Sequence, residues 1–337
     1  MYSLFRLRGK IQVTRWAGKG QPLPRTANFL RVLVLLLVLP VVALAEPARE
    51  LRGVWITNVD SDVLASRESI AEAMDFLADA GFNIVFPVVW NKAQTMYPSR
   101  EMERRFGIPI DPVYGERDPL RELVIEAHRN GLEVVPWFEF GFSSSYEEGG
   151  GHLLQKHPEW RALDKDGNLL KKNSFEWMNA FDPEVQDFLT SLLLEVAQGY
   201  DVDGVQGDDR LPALPSEGGY DPQTVERFRK AFGKEPPPYH RNSEWLQWRA
   251  DILTDYLAHV RWRIRRVDPN LLISVSPSIY DWGLREYLQD LRTWTNAGLY
   301  DIAHPQAYRY NLEAYKSLID QMVNFQFKAE DLPKLSP

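Results

Sequence analysis

The stretch DVDGVQGDD, residues 201–209, runs through a short apolar segment and ends on two adjacent carboxylates, Asp208 and Asp209. A turn or a helix cap would account for an Asp in such a place, since Asp commonly does both jobs. A carboxylate where a parallel strand stops is also where a (β/α)₈ barrel keeps its catalytic groups. The surrounding chain decides between the two.

From Glu50 onward, strand-like and helix-like stretches take turns. LRGVWIT (51–57) is rich in β-formers and precedes ESIAEAMDFLADAG, whose Ile70, Met74, Leu77 and Ala78 recur at helical spacing. FNIVFPVVW (82–90) and LEVVPWFEF (132–140) are the second and third strands. Between them Asp118-Pro119 opens a helix that Gly131 stops, with Asp as cap and Pro in the first turn. The same Asp-Pro punctuation at 182–183 and 221–222 starts two more helices, and a long one spans about Ser243 to Val267. Residues 202–209, 271–278 and 300–308 supply strands four to six, and LEAYKSLIDQMVNF closes the series as a helix.

This alternation predicts a parallel sheet with helices outside it. The loops after strands are long, roughly 27 residues after strand two and roughly 40 after strand three, while those before strands are short. Elaboration on one face predicts a (β/α)₈ TIM-type barrel, of which about six βα units are present. A doubly wound nucleotide-binding sheet is disfavoured, because no G-x-G-x-x-G follows the first strand and no P-loop occurs.

Residues 1–45 stand apart from this pattern. They carry seven basic residues and no acid, then VLVLLLVLPVVALA ending on Ala43-Leu44-Ala45. A basic region, an apolar run and an A-x-A site predict a signal peptide cleaved near Ala45, hence export to a periplasmic or extracellular location. The apolar run is short of the ~20 residues that span a bilayer, and Pro40 interrupts it, so no stable membrane anchor is expected. Removing the leader lowers Lys plus Arg from 39 to 32 against 47 acids, so the net charge moves from −8 to −15. Such a body argues against nucleic acid as a partner. The chain has no Cys, which excludes disulfides, thiolate metal sites and Cys nucleophiles.

The ends of the predicted strands bring chemistry together. They carry Trp55, Trp90, Trp137 with Glu139, Asp208 with Asp209, Asp281-Trp282 just after strand five, and His304, Gln306 and Tyr308 on strand six. Aromatic rings beside carboxylates suit a carbohydrate, whose C–H faces pack on rings while acids, amides and His satisfy hydroxyls. Glycosidic cleavage needs two carboxyl groups, one giving a proton to the leaving oxygen and one acting as nucleophile or base. Adjacent strand residues point to opposite faces, so Asp208 and Asp209 are not expected to face one centre. Each residue also has a plainer reading. The tryptophans could seal a core, Glu139 could be a solvated or ion-paired acid, and His304 could be a structural hydrogen-bonder. The acidic pair could bind a cation, but no metal or other cofactor is expected, because none of the six His has ligand spacing. DKDG (164–167) lacks the later acid of a calcium loop and reads as a hairpin turn.

ELRGVWIT, VVWNKAQTMYPS, VVPWFEFGF, YDVDGVQGDD and HPQAYRYN, in that order, resemble glycoside hydrolase-like family 10, formerly the DUF187 domain. The resemblance runs from about Glu50 to the last residue and implies a TIM barrel hydrolysing glycosidic bonds, with peptidoglycan glycan strands as a suggested substrate class. It places the family's acidic pair on Asp208 and Asp209, a further acid on Glu139, and a Gln and a Tyr on Gln306 and Tyr308. The expected roles are nucleophile or base for Asp208, acid for Glu139, and orienter for Asp209, with Asp281 in a comparable position. Trp55, Trp90, Tyr97, Trp137 and Tyr308 would line sugar sites, beside Arg210, Asp281, His304 and Gln306. The chain departs from the family at Gly207, where a bulky aromatic is usual and whose smallness would loosen Asp208. It departs again at Arg210, often His or Tyr, which could pair with an acid and lower its pKa. The family barrel has two further strands, so LPKLSP (332–337) is expected to be where a seventh begins, and the sequence looks truncated. The rival to a hydrolase is a barrel that binds glycan without cleaving it; a metal-dependent deacetylase or phosphodiesterase fits less well.

Overall fold

The computed structural model describes residues 50–337; the predicted leader lies outside the described residues. Its centre is a parallel sheet laid down in chain order. β1 (Gly53–Ile56) pairs with β2 (Ile84–Pro87), which pairs with β3 (Glu133–Val134). β4 (Trp137–Phe138) continues the run of β3 and pairs with β5 (Gly204–Gly207); β6 (Leu272–Val275) and β7 (Ile302–Ala303) follow. The predicted third strand is thus two pieces, parted at Val135-Pro136. Pro136 has no N–H to give to the ladder, though its carbonyl still accepts from Gln206 N at 2.9 Å. A parallel bridge from Val88 to Trp137 keeps the sheet continuous there. Leu335 bridges Ala303 in parallel, where the sequence predicts a seventh strand to begin.

The α-helices among the described residues are α1 (Arg67–Asp79), α2 (Arg100–Phe106), α3 (Pro119–Arg129), α4 (Gly151–Lys156), α5 (Pro183–Gly199), α6 (Pro222–Phe232), α7 (Ser243–Val267), α8 (Trp282–Tyr287), α9 (Leu291–Asn296) and α10 (Leu312–Gln321), of which α3 and α5 pack directly on the parallel strands. The Asp-Pro starts work as the sequence predicts. Asp118, Asp182 and Asp221 each accept a hydrogen bond from a first-turn N–H, at 3.1, 2.8 and 2.9 Å. α1 packs on α3 and α5 on α7.

The strands sort their side chains by parity. Val85, Val134, Phe138, Val205, Ile273 and Val275 join the large core under the helices, while Ile84, Phe86 and Val135 form a separate interior cluster with Trp137 and Leu272 against it. The long loops hold structure that periodicity does not predict. After β2 come a short hairpin (Trp90–Asn91 with Gln94–Thr95) and α2. After β4 come α4 and a three-stranded antiparallel insertion, Ser143–Tyr146, Phe175–Trp177 and Lys171–Lys172 in spatial order. Asp164 turns the chain within that insertion, accepting from Asp166 N and Asn168 N at 2.9 Å each, the hairpin turn expected of DKDG.

Candidate active site

The interior face is built by counting in twos from the sheet. Gln206 on β5 points inward, donating to Ser274 Oγ at 2.7 Å and accepting from Trp55 Nε1 at 2.6 Å. Two residues further along the same chains, Asp208 and Ser276 sit on the same face. Gln306, two residues beyond His304, donates from Nε2 to Asp208 Oδ1 at 2.9 Å. Trp55 stacks on Phe86 with centroids 4.6 Å apart, and His304 meets both rings edge-on at 5.1 and 5.2 Å. Rings and carboxyl therefore share one side of the sheet.

Asp208 keeps the strand's parity and alone of the pair lines the cavity, but Asp209 is not carried away to the opposite face as expected, since both carboxyls meet Arg210. β5 ends at Gly207, and the chain turns at once, with Leu211 N donating to Asp208 O at 3.0 Å. A Cβ at Gly207 would lie 2.2 Å from Leu211 O, so glycine permits this tight turn rather than loosening Asp208. Gln289, buried under the turn, donates to the carbonyls of Asp209 and Pro212 at 3.1 and 3.3 Å.

The turn aims both acids at Arg210. Its guanidinium lies 3.0 Å from Asp209 Oδ1, 3.6 Å from Asp208 Oδ2 and 3.7 Å from Glu139 Oε1, and its Nε donates to Glu139 O at 3.1 Å. Burial raises the pKa of all three acids. Asp208 is held well above its ordinary value by burial first and by the like charge of Asp209 second, and Arg210 offsets only part of the shift. Arg210 was expected to lower an acid's pKa; its pull is present, but burial outweighs it. Glu139 Oε2 is buried with no hydrogen-bond partner.

A cavity of about 330 Å³ opens beside this group. Trp55, Trp137, Tyr308 and Tyr315 are its aromatic walls, and Asp208 and Gln306 stand on its polar side. Asp208 is 5% exposed and is the one acidic side chain on the wall; Glu139 and Asp209 stand off the wall, around Arg210. His304 also lines the cavity. Its Nδ1–H donates to Ser336 O at 2.8 Å, and burial holds its pKa down at about 4, so it is a neutral ring there.

Three expected site residues lie elsewhere. Trp90 is 0% exposed, with Nε1 donating to Gly141 O at 3.0 Å and its ring edge-on to Phe188. β2 has ended by Pro87, so residue 90 no longer follows the strand's inward parity. Tyr97 is buried against α5, donating to Leu192 O at 3.2 Å. Both rings are core, where a sugar cannot reach them. Asp281 is exposed to solvent ahead of α8 and does not line the cavity. Sequence reasoning in turn missed Gln206, Ser276 and Tyr315. The first two were accessible from the period of two, one step back from Asp208 and one step on from the inward Ser274. Tyr315 sits on α10, outside the strand ends that carry the other site residues. Among the described residues, no group of three or more His, Asp or Glu side chains is placed to hold a metal ion.

The fold resembles that of the glycoside hydrolase domain of PgaB (BpsB) from Bordetella bronchiseptica, with a TM-score of 0.64 at 13% identity over 85% of this chain and 83% of that one. It also resembles α-L-fucosidase isoenzyme 2 from Paenibacillus thiaminolyticus, TM-score 0.55 at 18% identity, over 77% of this chain and 36% of that one. At such identities the likeness speaks for the α/β fold alone. In sequence, the chain is 26% identical over 340 residues to glycosyl hydrolase YngK of Bacillus subtilis, covering 88% of this chain and 63% of YngK. It is 24% identical over 316 residues to glycosyl hydrolase DigH of Escherichia coli K12, covering 78% of this chain and 66% of DigH. The chain thus spans less than two thirds of either relative. Both relatives are glycosyl hydrolases by name, and residues 50–333, from ahead of β1 to beyond α10, match the glycosyl hydrolase-like 10 family as a whole; the chain belongs to that family.

Proposed function

We propose that this chain is the catalytic part of an exported glycoside hydrolase of (β/α)₈-barrel type, acting on O-glycosidic bonds of a polysaccharide, with cell-wall glycan strands as the leading substrate class. The observation that carries the reading is one buried carboxyl, Asp208, set in an aromatic-lined cavity and tied through Arg210 to two further acids. Three carboxyls share one guanidinium in a water-poor place. Full ionisation would set three negative charges around that one guanidinium, and burial with like charge favours keeping a proton on the group.

Asp208 is the acid at the wall, and burial with the like charge of Asp209 holds its pKa well above the ordinary value. We therefore assign it the proton that passes to the leaving glycosidic oxygen as the C–O bond breaks. The second carboxyl, acting as base or nucleophile, is assigned to Glu139, whose side chain must turn from Arg210 into the cavity to do so, and Asp209 holds Arg210 in place. This reverses the roles expected from sequence for Asp208 and Glu139, because Glu139 is not on the cavity wall. Trp55, Trp137 and Tyr308 would stack against sugar rings, while Gln306 orients Asp208. Export rests on the leader of residues 1–45.

That a single acidic side chain lines the cavity favours a second reading, a barrel that binds glycan without cleaving it. The two separate on purified glycan strands stripped of peptides, with new reducing ends and bound strand measured on the same samples. A hydrolase releases reducing ends in proportion to enzyme and time. Saturable binding with no release would leave the binding module standing.

A further inference from the structure

Arg210 is held from behind by a part of the chain 35 residues earlier in sequence. The ring of Phe175, in the antiparallel insertion, lies under its guanidinium at 4.5 Å. That ring is itself wedged edge-on between Phe140 at 5.6 Å and Tyr146 at 5.1 Å. Next to it, Lys172 reaches across to Glu217 at 3.0 Å and Glu286 at 2.8 Å, and Asn173 donates to Tyr287 Oη at 3.1 Å. The hairpin tip is thus pinned to α8. On the other side, Phe142 N donates to Arg210 O at 2.9 Å. This approach requires Gly141, since a Cβ there would stand 2.1 Å from that oxygen and its φ is +51°. Backbone and ring together leave the guanidinium one place to go, among Glu139, Asp208 and Asp209.

We propose that Arg210 is a positioning residue, clamped by Phe175 of the antiparallel insertion, that sets the pH at which the acid group around Asp208 gives up its proton. A guanidinium stacked on a ring and shielded from water acts on its neighbours more strongly than one free to hydrate. Losing the ring lets the guanidinium drift from acids that stay buried by their own neighbours, so the acids should hold their proton to higher pH. Other charged and titratable groups face the same acids. Lys92 and Asp60 act on Glu139, Tyr308 on Asp208 and Asp209, and Tyr287 on Asp209 and Arg210. Tyr287 also lies against rings, those of Trp177 and Trp282, but it carries no positive charge; Arg210 is the cation held between a ring and the acids. The role in catalysis rests on the hydrolase reading above; the effect on ionisation does not.

The test is carboxyl ¹³C NMR on the full chain with labelled Asp and Glu, free of substrate, for wild type, Arg210→Met, Phe175→Leu and Phe175→Tyr, alongside pH profiles of kcat and KM. Arg210→Met should move the midpoint of the Asp208 resonance up by at least one pH unit. Phe175→Leu should move it the same way by a smaller, measurable step, and Phe175→Tyr, which keeps the ring, should restore it. On glycan, the alkaline limb of kcat should follow the NMR midpoint while KM stays within about twofold. An Asp208 midpoint unmoved in Arg210→Met overturns the proposal. If that variant does not fold, a Phe175→Leu midpoint equal to wild type does so. Shifted midpoints in a chain that releases no reducing ends would sink the hydrolase reading and leave the clamp standing.

Discussion

Asp208 shows how one residue's surroundings decide its chemistry. In the unfolded chain it ionises near its ordinary value of 3.8; in the fold, burial and the charge of Asp209 push that well upward. A raised carboxyl costs the fold stability above the unfolded value, because ionising it is harder in the native state than out of it. Asp208→Asn removes that cost. We expect the variant to melt higher than wild type at pH 7, by about 2–4 °C if the relief is near 1 kcal/mol. The gain should shrink as pH falls through the raised pKa and vanish below the ordinary one. A melting point that drops at pH 7 would mean that the ionised carboxylate is a structural asset. Trp90 and Trp137 make a second contrast. Trp90→Ala should cost about 3–5 kcal/mol in chemical unfolding, as a filled core position does. Trp137→Ala should weaken glycan binding by about 1–3 kcal/mol with a smaller loss of stability. The reverse pattern would exchange their roles.

Among the elements, the antiparallel insertion matters most, because it lies beyond the reach of sequence periodicity and yet touches the site. It is organised around Glu176, which is fully buried. Burial alone would raise its pKa, but the ion pair with Lys171, the hydroxyl of Ser145 and the N–H of Gly150 at 2.6 Å outweigh it, leaving it at about 2. A depressed carboxyl contributes stability that is full above its unfolded value, 4.5, and is lost as pH falls towards the folded one. Glu176→Gln should therefore raise hydrogen exchange across residues 143–177 at pH 7. Wild type should show the same loosening only as the pH falls from about 5 towards 2. Equal protection in both proteins at pH 7 would show that the insertion is held by its aromatic contacts instead.

For the molecule as a whole, the layout was legible because its signals repeat. Three Asp-Pro starts, an alternation of β-rich and helical runs, and long loops on one side sufficed to predict a parallel sheet with its chemistry at the strand ends. The site was legible where the ladder reaches it. Trp55, Asp208, His304 and Gln306 lie within two or three residues of a paired strand and keep its parity. Legibility failed one turn further out. Trp90 follows the end of β2 into a hairpin, Tyr97 points at α5, and Asp281 belongs to a loop whose path α8 decides. It failed again at Asp209, which a tight turn through Gly207 brings to the same guanidinium as Asp208. Phe175 is joined to Arg210 only by the folded chain, across an insertion with no period of its own.

The central claim is that Asp208 gives a proton to a glycosidic oxygen, and the most direct measurement is turnover by Asp208→Asn on purified glycan strands, with affinity taken on the same preparation. The amide keeps the shape and can still accept from Gln306, so binding should stay within a few-fold of wild type. Release of reducing ends should fall by about two to four orders of magnitude, the range for a lost proton donor. A variant that binds, melts no lower than wild type and still turns over at more than a tenth of the wild-type rate would contradict the account.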